Sequence, residues 1–427
     1  MTSSRRLRRL VEQLGAGSPA AARCEAANQL RPLALEGALA PAIIAAGAVQ
    51  ALVDALGDSD PELVEAATAA LGNLTCRSSE ASAAVVAAGA VPAVVGVLRR
   101  RSSTPVQRRM AATLLRNLAY DSPAHSLAIE DVGGIPALVA CLAGTNSDEG
   151  LHHQAAAVLC NMAGMASHLA AAIHEAGGVR PLVALMATSP DELVQWEAAG
   201  MARRMTARSP ARCRALTAAG AIPAAVALLS SPAANVQHEA VQLVDYLAQQ
   251  SAERAAAIAA AGAAGPLVCL LDSGSSQVEL DTLQAIGSVL RSFPLFAAEL
   301  KASGGITPLR RLAGFGSGSL AGIHAGQALQ LLSHQAAEDV GASRVAPATT
   351  PATAPAAAAA PATPAPAVPS RPPRICANPG CGATTGLKRC SGCRAVRYCS
   401  VECSRINWAG HKAERRRLQA QRAQASG

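Results

Sequence analysis

The chain has 427 residues, of which 50% are hydrophobic and only 2% aromatic, and its formal net charge is +8. This composition favours thin, closely packed helices with an aliphatic core and argues against a β-sandwich or a β-barrel. Residues 374–427 hold eleven Lys and Arg against two acidic residues, a formal +9, so the rest of the chain is close to neutral. The basic isoelectric point therefore describes the C-terminal segment and not the larger part of the chain.

The first predicted element is a helix within residues 5–35, because Leu7, Leu10 and Leu14 form an apolar stripe at helical spacing. We interpret this segment as an incomplete unit that caps the N-terminal end of the elements that follow. Four arginines between positions 5 and 9 are also typical of a transit peptide, so a targeting segment is the alternative interpretation.

One phrase then recurs seven times, each time around a glycine that a short aliphatic run follows. It begins as AAGAVQALVDAL, ends as ASGGITPLRRLA, and its glycines are 42 to 44 residues apart. The glycines are Gly47, Gly89, Gly133, Gly177, Gly220, Gly262 and Gly304. A fixed period of this length predicts a solenoid. We expect each unit to contain a short helix, a glycine turn with positive φ, a second helix, a polar turn and a longer third helix.

This pattern resembles the armadillo repeat over residues 5–338. The resemblance implies an all-α fold, an armadillo-type right-handed superhelical solenoid, with HEAT repeats as an alternative within the same architecture. Two uncharged stretches, residues 215–237 and 255–271, are long enough to suggest membrane spans. Both carry Gly and Pro in register with the repeats, so we predict that they are solenoid helices and expect no membrane partner.

The third helices carry a repeated asparagine in the contexts LGNLT, LRNLA and LCNMA. The three are Asn73, Asn117 and Asn161, and later units have Arg204, Tyr246 and Ser288 at the aligned position. The resemblance implies that this position faces a concave groove, where an amide can donate to and accept from the backbone of an extended peptide. The alternative is that each asparagine only completes the hydrogen bonding at a helix end. Nuclear import receptors also carry Trp one turn earlier, where this chain has Ala or Thr, so a groove for basic import signals is not expected.

The segment after the repeats, residues 339–373, consists mainly of Ala, Pro and Thr with almost no charge. Nothing in it has the bulk to form a core, so we predict a disordered, polyproline-biased linker. Beyond it we place a small domain at residues 374–418 and a basic, polar tail at residues 419–427.

The small domain contains six cysteines and a histidine with the spacing C-x4-C-x8-C-x2-C-x5-C-x3-C-x7-H. They are Cys376, Cys381, Cys390, Cys393, Cys399, Cys403 and His411. Thiolates and an imidazole at such intervals suit Zn²⁺ in tetrahedral coordination. A disulfide framework is the weaker alternative, because one member is histidine. So small a unit would depend on the metal for much of its folding free energy.

This spacing, with Tyr398 before a cysteine and Trp408 before the histidine, resembles the MYND-type zinc finger. The resemblance implies a cross-braced pair of zinc sites and a role for Trp408 in holding a Pro-containing peptide. The first site would use Cys376, Cys381, Cys399 and Cys403, and the second would use Cys390, Cys393, His411 and an eighth ligand. Arg415 stands at the eighth position, and its guanidinium has no lone pair to offer a metal. We therefore expect one complete zinc site and a second site that lacks its eighth ligand.

The sequence contains no motif typical of an enzyme. We predict a non-enzymatic, monomeric scaffold that binds other proteins or peptides through the solenoid groove and the zinc finger. One alternative is an adaptor resembling an E3 ubiquitin ligase, and the other is a chromatin or nucleic-acid regulator that acts through the basic finger. Nucleic acid is the less favoured partner, because aromatic residues for base stacking are scarce there. The other six cysteines are expected to be buried free thiols in the cytoplasm or nucleus.

Overall fold

The computed structural model describes residues 2–342, except 77, 121, 145–147, 208 and 250, together with residues 388–389 and 397–398. The chain divides into two compact units, Met1–Arg344 and Val345–Gly427. The first unit contains the solenoid, and only two short strands of the second unit are described.

The solenoid begins with two helices, α1 (Thr2–Leu14) and α2 (Ala20–Leu35). Leu7, Leu10 and Leu14 are buried, and α1 packs against α2 and against the first complete unit. The predicted apolar stripe is therefore confirmed, and these two helices cover the open side of the repeat that follows.

Seven units of three helices follow in the described ranges, in the predicted order of a short, a second and a longer third helix. The first helices are α3 (Ala40–Ala45, after a 3-10 turn at Gly37–Leu39), α6 (Ser79–Ala87), α9 (Pro123–Asp131), α12 (Ser167–Glu175), α15 (Pro210–Ala218), α18 (Ala252–Ala260) and α21 (Phe296–Ala302). The second helices are α4 (Ala48–Ala55), α7 (Ala90–Arg99), α10 (Gly134–Leu142), α13 (Val179–Thr188), α16 (Ala221–Leu228), α19 (Ala264–Leu270) and α22 (Ile306–Ala313). The third helices are α5 (Pro61–Thr75), α8 (Pro105–Ala119), α11 (Glu149–Met165), α14 (Glu192–Thr206), α17 (Ala234–Gln249), α20 (Ser276–Ser292) and α23 (Leu320–Ala342).

The turn between the first and second helices depends on glycine. All seven predicted glycines have positive φ, between 70° and 92°, a region that a residue with a Cβ enters only at a cost. In five units the chain bends there by 77–87°. Each of those five bent helix pairs, taken as one segment, has the length and apolar composition of a membrane span. No single helix among the described residues has them.

Five of the third helices, α5, α8, α11, α14 and α20, start at a side-chain cap. Asp148 accepts a hydrogen bond from the backbone N–H of Leu151, and Asp191 accepts one from Leu193. Each bond satisfies a backbone donor that has no partner within the helix. The polar turn before a third helix is thus a start signal encoded in the local sequence.

Successive third helices form the most extensive packing in the solenoid, from α2 against α5 to α20 against α23. Small side chains such as Ala67 and Ala111 are fully buried on these helices, and Leu71 and Leu115 fill the space beside them. Each unit therefore completes the core of the next, as solenoid repeats do. The predicted all-α solenoid is confirmed for the described residues. Its last helix extends to Ala342, four residues into the segment predicted as linker.

The six cysteines of the solenoid are free thiols, but the expectation that all are buried is wrong. Cys141, Cys160 and Cys213 are buried, Cys24 is half-buried, and Cys76 and Cys269 are exposed. Cys76 is exposed because it is the C-cap residue of α5, where the chain leaves the packed helix. Helical spacing alone does not locate the end of a helix to within one residue.

Candidate functional site

A groove of about 1010 Å³ crosses the third helices α8, α11 and α14. The end of α5, the start of α6 and the turn before α9 also contribute to it, and α17 contributes Glu239. Its main polar, charged and aromatic side chains are Arg116, Asn117, His125, His153, Asn161, Trp196, Glu197, Arg204 and Glu239. We call this space the groove.

The groove brings together two of the three predicted asparagines. Asn117 and Asn161 line it, whereas Asn73 does not. The Asn73 Nδ2 donates to the backbone oxygen of Arg31 at 2.9 Å, and the Asn117 Nδ2 donates to that of Gly72 at 3.0 Å. Gly72 lies on the preceding third helix, α5, and Arg31 lies on α2, the cap helix that packs against α5. These two amides therefore connect neighbouring units, as the structural alternative to partner binding requires.

Asn161 differs from the other two. It is half-buried in the groove, and its side chain forms no hydrogen bond with any described residue. Its amide oxygen and both amide hydrogens are thus available to a ligand. Partner binding by the three asparagines stays a prediction.

The sequence reasoning missed Trp196 and Glu197, which line the groove two turns before Arg204 on α14. Trp196 is half-buried, and Leu193, one turn earlier, is exposed beside it. The signal was available, because Trp196 follows His153 by 43 residues and both face the same groove. The register of the asparagines does not include these positions.

A second ladder that the sequence reasoning missed consists of carboxylates 42 residues apart: Glu197, Glu239 and Asp281. Glu239 is buried and accepts two hydrogen bonds from Arg203, at 2.6 Å from Nε and 3.3 Å from Nη2. Asp281 is also buried, and its Oδ2 lies 2.7 Å from the Nδ1 of His238. Each of these two carboxylates contacts a basic side chain on the preceding third helix, and the charge of Arg203 offsets the cost of burying that of Glu239.

Glu197 has the same register but a different partner. The side chain that it hydrogen-bonds on the preceding third helix is the thiol of Cys160. Burial raises the pKa of Glu197, although this hydrogen bond and the charges of Arg204 and Arg116 act in the opposite direction. Burial also raises the pKa of Cys160 well above the usual value, so the thiol is neutral at pH 7. Glu197 is therefore a half-buried carboxylate without an ion pair of its own among the described residues.

We expect Glu197→Gln to stabilise the solenoid. A carboxylate whose pKa is raised on folding makes the folded state less stable above that pKa, and this cost disappears as the pH falls. Removing the charge should raise the free energy of unfolding by about 1 kcal/mol at pH 7. In urea denaturation, the gain should shrink as the pH falls and vanish below about 4.3, the ordinary pKa of glutamate.

Glu239→Gln is the matched control, because Glu239 lies one period further along the same ladder. There the substitution removes the partner of Arg203 and should lower the free energy of unfolding by about 2 kcal/mol. A loss of stability in both variants would contradict the assignment of Glu197 as an unpaired carboxylate.

The predicted zinc ligands and Trp408 lie outside the described residues. The seven ligands are Cys376, Cys381, Cys390, Cys393, Cys399, Cys403 and His411. The described residues of this unit form two antiparallel strands, β1 (Lys388–Arg389) and β2 (Arg397–Tyr398), in which Lys388 pairs with Tyr398. In chain order, Cys390 and Cys393 fall between the two strands, and Cys399 directly follows β2. The described parts of the chain contain no group of three or more potential metal ligands.

Two family models match the chain. The model of the Armadillo/beta-catenin-like repeat matches residues 39–76, which include Gly47 and Asn73. The model of the MYND finger matches residues 376–414, which include all seven predicted ligands, and the match ends one residue before Arg415. No curated protein sequence matches the chain.

Several solved structures that are similar to the chain are engineered or designed proteins. One engineered protein is 31% identical with a TM-score of 0.68, and the match covers 77% of this chain and 78% of that chain. A designed armadillo repeat protein is 26% identical with a TM-score of 0.52, covering 56% of this chain and 99% of that chain. Another, solved in complex with the peptide (KR)4, is 25% identical with a TM-score of 0.50, covering 57% and 99%.

Proposed function

The chain is an armadillo-repeat protein with a C-terminal MYND finger, and from this premise we propose that it is a non-enzymatic scaffold that binds partner proteins or peptides. Both family resemblances seen in the sequence are confirmed. The alternatives of an E3-like adaptor and of a chromatin or nucleic-acid regulator have no support among the comparisons.

The observation that carries this proposal is the free amide of Asn161 in the groove. An extended peptide presents a backbone N–H and a C=O at every residue, and an amide can bind both. Asn117 adds a second amide, of which the described structure uses only Nδ2. Trp196 and Leu193 add apolar surface beside these polar groups. The designed relative solved with a peptide supports this use of the fold.

The length of the groove suits a short extended peptide. Packed helices lie about 8–10 Å apart, so the three steps from α8 to α17 span about 24–30 Å. An extended chain rises about 3.3 Å per residue, so about eight residues fill this distance. The partner of the groove is therefore proposed to be an extended segment of about eight residues and not a folded domain.

The MYND finger is proposed as the second binding surface, through Trp408. Its six thiolates and one imidazole form a donor set that Zn²⁺ prefers, and bound zinc would supply folding free energy. The Ala/Pro/Thr segment would let both surfaces bind one complex, which raises the effective concentration of each without new contacts. We propose that the chain acts as a monomer, in the cytoplasm or nucleus, where its free thiols stay reduced.

We expect Asn161→Ala to weaken peptide binding without lowering the melting temperature. Loss of one neutral hydrogen bond costs about 1 kcal/mol, or about a fivefold rise in Kd. The probes are octapeptides selected on the full-length chain from a randomised library, and their binding is measured by fluorescence anisotropy. Asn117→Ala should lower both affinity and melting temperature, because its Nδ2 also bonds the preceding repeat.

Asn73→Ala is the matched control. It removes the same kind of inter-repeat hydrogen bond, but from a side chain that does not line the groove. It should lower the melting temperature and leave the affinity unchanged. If no octapeptide binds, or if Asn161→Ala and Asn73→Ala affect binding equally, the groove is not the binding surface.

A further inference from the structure

The charges in the groove do not balance. The groove is lined by two arginines, Arg116 and Arg204, and by two glutamates, Glu197 and Glu239. The carboxylate of Glu239 is already paired with Arg203, which holds it through two hydrogen bonds. One carboxylate, Glu197, then remains for two guanidiniums, and the groove carries one uncompensated positive charge.

Neither arginine has an ion-pair partner in the described structure. The Arg116 side chain forms no hydrogen bond or ion pair with any described residue, and the Arg204 Nη1 contacts the Sγ of Cys160. The thiol cannot neutralise Arg204, because burial raises its pKa and keeps it protonated. Both arginines are half-buried, so they have lost part of their hydration without gaining a counter-charge.

The two histidines of the groove cannot supply a counter-charge for the arginines, because an imidazole is either neutral or cationic. Burial lowers the pKa of His153, and the charge of Arg116 lowers it further, although Asp191 acts in the opposite direction. His125 is held by its Nδ1, 3.0 Å from the backbone oxygen of Leu118. Arg116 lines the groove, and its charge lowers the pKa of both His153 and Glu197.

A basic ligand would place its charge against these two unpaired arginines, and like charges at close range repel. An acidic side chain of a ligand would supply the counter-charge that these guanidiniums lack, and a guanidinium and a carboxylate can form two parallel hydrogen bonds. The peptide (KR)4 of the designed relative is positively charged and is therefore not expected to bind this groove.

We infer that the groove selects an extended peptide with an acidic side chain, which the guanidiniums of Arg116 and Arg204 bind while Asn117 and Asn161 bind the adjacent backbone. This inference rests on the proposed function and specifies the chemistry of the partner. A carboxylate of Asp or Glu and the phosphate of a phosphorylated residue share this chemistry. We assign the carboxylate, because the single excess charge of the groove matches a single negative charge.

The test uses octapeptides selected on the full-length chain and resynthesised with the acidic residue changed to Gln, Lys or phosphoserine. We expect the selection to enrich Asp or Glu at one position. The Gln analogue should bind about tenfold more weakly, the cost of losing a hydrogen bond to a charged group. The Lys analogue should bind more weakly still. A phosphoserine analogue that binds more tightly than Glu would overturn the assignment of a carboxylate and identify phosphopeptides as the ligands.

Substitutions in the groove are expected to change the affinity for the Glu peptide in opposite directions. Arg116→Gln and Arg204→Gln should each remove the preference for Glu over Gln, whereas Glu197→Gln should strengthen binding of the Glu peptide severalfold. Arg180→Gln is the matched control, because Arg180 is an exposed arginine of α13 that does not line the groove. It should leave the preference intact. Thermal melting shows whether each variant is folded. Arg204→Lys is a milder substitution that retains the positive charge.

The outcomes separate this inference from the proposed function. Peptides that bind the groove with equal affinity for Glu and Gln, or with a preference for Lys, would overturn the inference and leave the scaffold function in place. If no peptide binds at all, both are overturned. Loss of preference in Arg116→Gln but not in Arg180→Gln would establish the acidic specificity.

Discussion

Deletion of residues 123–166 is expected to leave a folded, shorter solenoid that unfolds cooperatively. The deleted segment is one whole unit, α9 to α11, and its 44 residues equal one period of the sequence. Solenoid stability is a sum of repeat and nearest-neighbour terms, so the chain loses one unit and gains a new but equivalent interface between α8 and α14.

The junction of this deletion is favourable. Ser122 caps α9 through its hydroxyl, whereas α12 starts after Ala166 without a side-chain cap. The deletion joins Ser122 to Ser167 and so places a serine at the N-cap of α12, which is worth about 1 kcal/mol. Circular dichroism and urea denaturation should show a two-state transition with an m-value lowered in proportion to the lost surface.

The control is the deletion of residues 123–144, which removes α9 and α10 but leaves α11. Buried side chains of α10, such as Leu138 and Leu142, then no longer cover their neighbours. Each buried leucine contributes about 1.5–3 kcal/mol, so this half-period deletion should aggregate on size-exclusion chromatography. If the two deletions behaved alike, the division of the solenoid into these repeats would be wrong.

The features that the sequence predicted correctly depend on local chemistry. The glycine turns could be located because few other residues tolerate positive φ, and Gly47 and its six counterparts all adopt it. The polar turn before a third helix could be recognised because a short polar side chain before a helix satisfies a free backbone donor, as Asp148 and Asp191 do. In both cases the determinant lies within a few residues of the feature.

The features that could not be predicted from the sequence depend on contacts with the preceding repeat. Asn117 and Asn161 have the same register and similar flanking residues, yet the structure finds a backbone acceptor for one and none for the other. Glu197 and Glu239 also share a register, but one meets a thiol and the other a guanidinium. Such differences arise from residues about 40 positions away, which only the packing of the third helices brings into contact.

We expect the finger to bind two zinc ions with different affinities, because Arg415 stands at the position of the eighth ligand. The MYND resemblance implies four cysteine ligands for one site but only Cys390, Cys393 and His411 for the other. An incomplete site binds zinc less tightly, because water has to take the place of the missing thiolate. Chelator titration of the full-length chain, followed by metal analysis, should release one zinc ion readily and a second only at higher chelator concentration.

Arg415→Cys is expected to merge the two phases of release. Residues four apart on a helix lie one turn apart on the same face, so we propose that a cysteine at position 415 supplies the eighth ligand next to His411. Arg416→Cys is the matched control, since it adds a thiol one residue further on, where a helix turns it away from that face. It should leave two phases. The solenoid should melt at the same temperature in all cases, because its described residues contain no group of metal ligands.

The effect of metal removal on the finger can be measured separately from its effect on the solenoid. Structural zinc contributes about 10–16 kcal/mol to the folding of small zinc domains, so full metal removal should unfold the finger while the helical signal of the solenoid persists. Two zinc ions released in one phase from the unmodified chain would contradict the assignment, and would mean that another residue completes the second site. Glu414, the nearest carboxylate, is the first candidate for that ligand, and Glu414→Gln would then restore two phases.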